Sequence, residues 1–183
     1  MAKTCAVLLA DGFETIEALA PADCLARAGA QVSRAGCTGS TVTSAQGVPV
    51  VCDAELADVD LASFDLVIVP GGLGGVDNLR ACPAVAAELK RRAASSDLLG
   101  CICAAPALLA ENGLLDGRVA TCYPGCDTDF PAGVRPEKNG VYRDGNLVTA
   151  SGPAFAVPFG LALVAALLGE EDARRVASAM LVE

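Results

Sequence analysis

The segment Phe64-Asp-Leu-Val-Ile-Val69, closed by Pro70-Gly71-Gly72, sets the tightest limit on what this chain can fold into. Its apolar run leaves no polar side to face water, so a strand formed there is buried on both faces, as in the middle of a parallel sheet covered by helices. The neighbouring segments agree. Thr4–Leu9, Gln31–Ala35 and Leu98–Ile102 read as further strands, Thr4–Leu9 being closed by Asp11-Gly12. Glu14–Ala28 reads as a helix with acids in its first turn and Gly29 as its stop. Pro83–Ser95 has Pro at the first helical position, and Ala104–Glu111 is stopped by Asn112-Gly113. Strand and helix in alternation predict a mostly parallel sheet with helices on both faces.

The remaining segments are less regular. Ser40–Val51 reads as extended, with a turn at Gln46-Gly47. Val119–Cys122 reads as a strand, and Pro124–Lys138 as a loop rich in Pro, Gly and Asp. Val141–Arg143 and Leu147–Ala150 flank the hairpin signal Asp144-Gly145, and helices follow over Phe155–Leu168 and Glu170–Met180. No internal repeat or linker interrupts the pattern, so residues 1–183 are expected to form a single domain.

Composition narrows the function classes. The chain is 53% apolar and 19% charged, and its formal net charge of −9 argues against nucleic acid or an anionic membrane surface as partner. The longest basic cluster, Lys90-Arg91-Arg92, sits in what reads as a solvated helix. Leu147–Gly169 carries no charge, but Pro153 and Pro158 break it and the apolar remainder is too short to span a bilayer. The N-terminus lacks a signal peptide's apolar core, so a cytoplasmic location is expected, with the nine cysteines as reduced thiols.

In an open parallel sheet the site lies beyond the carboxyl ends of the strands. Asp11-Gly12, Gly71-Gly72 and Cys103 all fall at that edge. Cys103 follows the strand Leu98–Ile102 directly and precedes small residues and a helix, a turn that would aim a nucleophile at a helix N-terminus where a thiolate is favoured. The alternative is a buried cysteine acting as a small hydrophobe, the reading adopted for Cys101. The other seven cysteines share no register and receive no role. The chain has no histidine, so Cys103 cannot draw on the usual imidazole base.

Three other constellations bear on chemistry. Cys101, Cys103, Cys122 and Cys126 do not match the paired spacings of a structural zinc site, and no metal is expected. Pro70-Gly71-Gly72-Leu73-Gly74-Gly75 matches neither a dinucleotide fingerprint nor a nucleotide-phosphate loop. Its glycines suit a tight strand-to-helix turn, and the Gly72 N–H with that of Ala104 could form an oxyanion hole. Glu14 and Glu17 share a face of the first predicted helix. They read either as solvated residues complementing the helix dipole or, with Ile16, Leu19 and Ala20 marking Glu17 as bordering the buried face, as a source of one carboxyl held protonated beside the thiol.

Taken together, Ala10-Asp-Gly-Phe-Glu-Thr-Ile-Glu17, Asp65-Leu-Val-Ile-Val-Pro-Gly-Gly72, Ile102-Cys-Ala-Ala-Pro106 and Thr149-Ala-Ser-Gly-Pro153 resemble the DJ-1/ThiJ/PfpI superfamily, relatives of the class I glutamine amidotransferases. The resemblance implies a flavodoxin-like three-layer sandwich, usually a homodimer. It implies an oxidation-sensitive cysteine at Cys103, a protonated glutamate at Glu17, and an anion pocket of the Gly72 and Ala104 N–H groups. Glu14, Gly71, Tyr123, Gly152 and Pro153 become further pocket residues. Ala104 stands where the PfpI-like proteases carry histidine, so a Cys-His peptidase is not implied. Tyr123 stands where some DJ-1-like members carry histidine, which places the chain nearest the bacterial ThiJ-like branch.

Two functions follow from the resemblance. One is a cofactor-free aldehyde-repair enzyme of glyoxalase or deglycase type, acting on methylglyoxal, glyoxal or their adducts. The other is an oxidation-sensing cysteine protein or redox-regulated chaperone without turnover.

Overall fold

A computed structural model describes residues 2–136 and 138–182. Residue 137, within the expected loop 124–138, lies outside them. In chain order the elements are β1 Thr4–Leu9, α1 Thr15–Arg27, β2 Gln31–Gly36, β3 Thr41–Thr43, β4 Pro49–Val51, β5 Ala54–Glu55, β6 Leu66–Val69, α2 Leu73–Arg80, α3 Pro83–Ala93, β7 Leu98–Ile102, α4 Pro106–Glu111, β8 Val141–Asp144, β9 Leu147–Ala150, α5 Ala156–Leu168 and α6 Glu170–Ala179. Seven strands form one sheet in the order β5-β2-β1-β6-β7-β9-β8, while β3 and β4 make a separate antiparallel hairpin. Among the described strands of the large sheet, only β8 runs antiparallel, paired to β9. This is the expected flavodoxin-like α/β sandwich.

Alternation along the buried strands splits the core into two layers. Ala6, Leu8, Val67 and Val69 point to one face, with Leu79 of α2, Leu89 of α3 and Leu108 of α4. Cys5, Val7, Leu66 and Ile68 point to the other, with Leu25 of α1, Phe159 and Leu163 of α5 and Val176 of α6. Glycine sets how closely α5 can lie. A Cβ on Gly100 of β7 would come within 2.9 Å of Leu163, and one on Gly160 would meet Pro21 and Cys24 of α1 at 2.8 Å. No described helix is long and apolar enough to cross a membrane.

Several expectations are corrected. Val119–Cys122 is no strand: its N–H groups go to separate acceptors, Val119 to Asp144, Ala120 to the Val134 carbonyl and Thr121 to the Thr149 hydroxyl, so no ladder forms. Helix α2 went unread because Leu73-Gly-Gly-Val is a poor helix former; Leu79 and Val76 hold it by packing. Helix α4 begins at Pro106, two residues later than expected.

Arg92 departs most from its expected solvated setting. Its guanidinium is fully buried, donating to the carbonyls of Leu61, Phe64 and Leu98 at 3.0, 2.7 and 2.7 Å and to Glu88 at 2.6 Å. It joins α3 to the chain entering β6 and β7.

Candidate active site

The sheet register assembles the site. Val69 of β6 pairs with Cys101 of β7, so two residues further on Gly71 stands beside Cys103. The chain leaves β7 through a sharp elbow: Cys103 has φ of 63°, and Leu181 is the only other described non-glycine residue at positive φ. A cysteine in that sparsely populated region requires strong support from its surroundings. Its N–H donates to the Ala150 carbonyl and its carbonyl accepts the Tyr123 N–H, at 2.9 and 2.8 Å. The functional reading of Cys103 at the sequence level rested on this turn, and the backbone adopts it.

Around the sulfur stand the Gly72 and Ala104 N–H groups, whose dipoles favour a thiolate, and the Glu17 carboxyl. Gly72 has φ of 87°, and a Cβ there would collide with the Gly12 carbonyl and the Glu14 amide. Only glycine lets α2 begin this close to the first loop. Glu17 is fully buried beneath the thiol, and its Oε2 accepts the Gly71 N–H at 3.0 Å. It lies on the buried stripe of α1 with Ala18, Pro21, Cys24 and Leu25, whereas Ile16, expected to mark that face, is 49% exposed. Among the described residues Glu17 Oε1 is the one buried side-chain polar atom without a hydrogen-bond partner. A proton on this carboxyl removes the cost of an unpaired buried charge.

Electrostatics correct the expectation of a simply acidified thiol. Burial lifts Glu17 to about 7; hydrogen bonds from Cys103 and Gly71 oppose the rise and the Glu14 charge adds to it. Burial also pushes Cys103 up to about 12, aided by the charge and hydrogen bond of an ionised Glu17 and opposed by the Gly72 and Ala104 N–H groups. The thiolate is therefore accessible in one way: the proton must sit on Glu17. Moving it from sulfur to carboxylate leaves the net charge of the pair unchanged and places the anion against two N–H donors.

The thiol opens into a cleft of about 790 Å³ whose lining includes Gly12, Glu14, Tyr123 and Pro153. Gly71 lies under the cleft, between Glu17 and Cys103. Gly152 sits against the Tyr123 ring at its outer rim. The β3–β4 hairpin forms a wall: Gln46 donates to Glu14 Oε2 and accepts from the Thr15 hydroxyl, each at 2.7 Å, and Ala45 lines the cleft. Sequence reasoning missed this wall, because no local signal tells a hairpin which loop it will cover. It also gave no role to Cys126, which lines the cleft, while Cys101 is core as expected. Among the described residues no cluster of three or more potential metal ligands occurs.

Comparison with known proteins gives a consistent result. The family model described as DJ-1/PfpI family matches residues 3–166. Protein dj-1beta of Drosophila melanogaster is 36% identical over 184 residues, covering 100% of this chain and 98% of its own. The glutathione-independent glyoxalase DJR-1.2 of Caenorhabditis elegans is 35% identical over 170 residues, covering 92% of this chain and 91% of its own. The crystal structure of a mutant DJ-1 superfamily protein from Salmonella typhimurium superposes with a TM-score of 0.92 at 37% identity, covering 99% of each chain.

Proposed function

The chain belongs to the DJ-1/PfpI family, and we propose that it is a cofactor-independent aldehyde-repair enzyme, of glyoxalase or deglycase type, acting on small reactive aldehydes such as methylglyoxal or on their adducts. The observation that carries this reading is the buried Glu17 carboxyl set against Gly71 beside the Cys103 thiol, which two N–H groups also face. That set supplies a nucleophile, a proton carrier and an oxyanion hole without histidine. The similarity to a protein named as a glyoxalase supports it.

In this reaction the Cys103 thiolate attacks the aldehyde carbon of methylglyoxal, forming a C–S bond and an alkoxide held by the Gly72 and Ala104 N–H groups. Glu17 gives its proton to that oxygen and becomes a carboxylate. It then removes the hydrogen on the former aldehyde carbon, the electron pair passing to an enediolate on the neighbouring carbonyl, and returns that proton to the second carbon while the hydroxyl proton of the first carbon passes to the second oxygen. The first carbon is thereby oxidised to a thioester and the second reduced to an alcohol, so no external oxidant is required. Water cleaves the thioester, breaking the C–S bond and releasing lactate.

Lactate formation from methylglyoxal by the wild type, Cys103→Ser and Glu17→Ala tests the reading. Turnover only in the wild type supports it, and equal rates in all three would overturn it.

A second reading, oxidation sensing without turnover, is favoured by one feature: the same two N–H groups and protonated carboxyl would hold a Cys103 sulfinate. Intact-mass analysis after mild peroxide, with no lactate formed by the unoxidised protein, would select it.

A further inference from the structure

Away from the cleft, a second pair of reactive groups meets. Cys37 follows the end of β2, its N–H donating to the Leu9 carbonyl at 2.6 Å, and Cys82 lies in the turn between α2 and α3, its N–H donating to the Leu79 carbonyl at 3.1 Å. Asp11 draws these distant segments together. Its N–H donates to the Thr38 hydroxyl at 3.0 Å, and its carbonyl accepts from the Asn78 side chain at 2.9 Å. Thr38 is the neighbour of Cys37, and Asn78 precedes Cys82 by about one helical turn. The two thiols lie close enough to influence one another and pack on the same face of the core. Both are partly exposed, whereas Cys5, Cys24, Cys52, Cys101 and Cys122 are buried.

We propose that Cys37 and Cys82 form a second oxidisable site, separate from the cleft, which closes to a reversible disulfide on exposure to hydrogen peroxide. In the first step one sulfur attacks a peroxide oxygen and becomes a sulfenic acid, and the other oxygen leaves as water. In the second step the neighbouring thiol attacks that sulfur, forming the S–S bond, and its proton leaves with the hydroxyl as a second water. The two thiols lose two electrons and the peroxide gains them.

The surroundings make the outcome differ from that at Cys103. The groups that act on the Cys103 sulfur are a carboxyl and two backbone N–H groups, none of which can condense with a sulfenic acid to give a disulfide. At Cys37 and Cys82 the neighbour of each sulfur is the other. Burial and the adjacent Cys82 sulfur push the Cys37 thiol up to about 11, so reaction with peroxide is slow near neutral pH and begins only when the oxidant is abundant. The disulfide would tie the loop after β2 to the end of α2, the helix that starts at Gly72 of the candidate anion hole. This inference does not depend on turnover at Cys103.

The test uses the full chain carrying Cys103→Ser, which removes the cleft thiol, alongside the wild type. Each is treated with hydrogen peroxide, blocked with N-ethylmaleimide, and digested with trypsin without reductant. The expected result is a cross-linked pair of peptides, residues 35–80 joined to 81–90, in both proteins. It is split by dithiothreitol, is accompanied by the loss of two alkylatable thiols in the Cys103→Ser protein, and is absent from Cys37→Ser and from Cys82→Ser. Full alkylation of Cys37 and Cys82 at a large excess of peroxide, well above the dose that oxidises Cys103 in the wild type, would overturn the proposal. So would a cross-link between the same two peptides that survives in Cys37→Ser, where Cys52 is the one cysteine left in residues 35–80.

Discussion

Gly71 holds Glu17 and Cys103 at contact distance: its N–H donates to the Glu17 carboxylate at 3.0 Å, and a Cβ built on it would lie 2.5 Å from the Cys103 Cβ and in collision with Glu17 Oε2. Its φ is not positive, so space alone demands glycine here. Gly71→Ala is expected to fold, with a loss of about 1–3 kcal/mol as the overfilled site pushes its neighbours aside. Turnover of methylglyoxal should fall about a hundredfold, since small displacements of reacting groups cost that much. Urea denaturation and a lactate assay check the two effects. Unchanged turnover would mean that close apposition of acid and thiol is not required.

The two pKa shifts make a prediction about pH. Below about 7 the Glu17–Cys103 pair holds two protons; between about 7 and about 12 it holds one. The thiolate exists only after the first proton has left, so alkylation of Cys103 by iodoacetamide should rise as pH passes through about 7 and then level off. In Glu17→Gln the first proton has no carboxylate to leave from, and that inflection should vanish. Peptide mass spectrometry isolates Cys103 from the other thiols. Identical profiles in the two proteins would show that Glu17 does not control the thiol.

The strands, the elbow and the glycine turn were legible in the sequence because each depends on local chemistry: apolar runs, Pro-Gly-Gly, and a cysteine between a strand and small residues. The parts that were missed depend on tertiary partners. Helix α2 forms against its propensity because Val76 and Leu79 are buried. Residues 119–122 resemble a strand, yet their N–H groups find the Thr149 and Asp144 side chains instead of a neighbouring strand. Arg92 shares a basic run with Lys90 and Arg91, and nothing in that run distinguishes the one that points inward. An acidified thiol is the sequence expectation, but the desolvation that reverses the sign is a property of packed layers and not of spacing.

Glu17 also links stability to pH. Its folded pKa is about 7 against an ordinary value of 4.5, so the folded protein binds this proton more tightly than the unfolded chain. The resulting stabilisation is complete below about 4.5 and is lost as pH rises to about 7. Glu17→Gln keeps an acceptor for the Gly71 N–H without a charge to bury. It should be more stable than the wild type above pH 7, by up to about 3 kcal/mol, with the gap closing toward pH 4.5. Urea midpoints at several pH values measure this. A gap that widens on acidification would reverse the assigned sign.

Stability and reactivity should separate at Arg92, because its partners lie at the opposite edge of the sheet from Cys103. Leu98 opens β7 and Phe64 precedes β6, whereas the elbow follows the far end of β7. Arg92→Met would leave the Leu61, Phe64 and Leu98 carbonyls without this donor, while Glu88 keeps two hydrogen bonds from Arg91 at 2.8 Å. A loss of about 3–5 kcal/mol is expected, the range for removing one member of a buried charged network. Arg92→Lys should recover only part of it, since one ammonium cannot spread its donors over so wide a set of acceptors. The rate of Cys103 alkylation in the folded variant should match the wild type at every pH. A lower urea midpoint with an unaltered alkylation profile is the expected pair of results. An altered profile would mean that packing at the N-terminal edge reaches the thiol through β7.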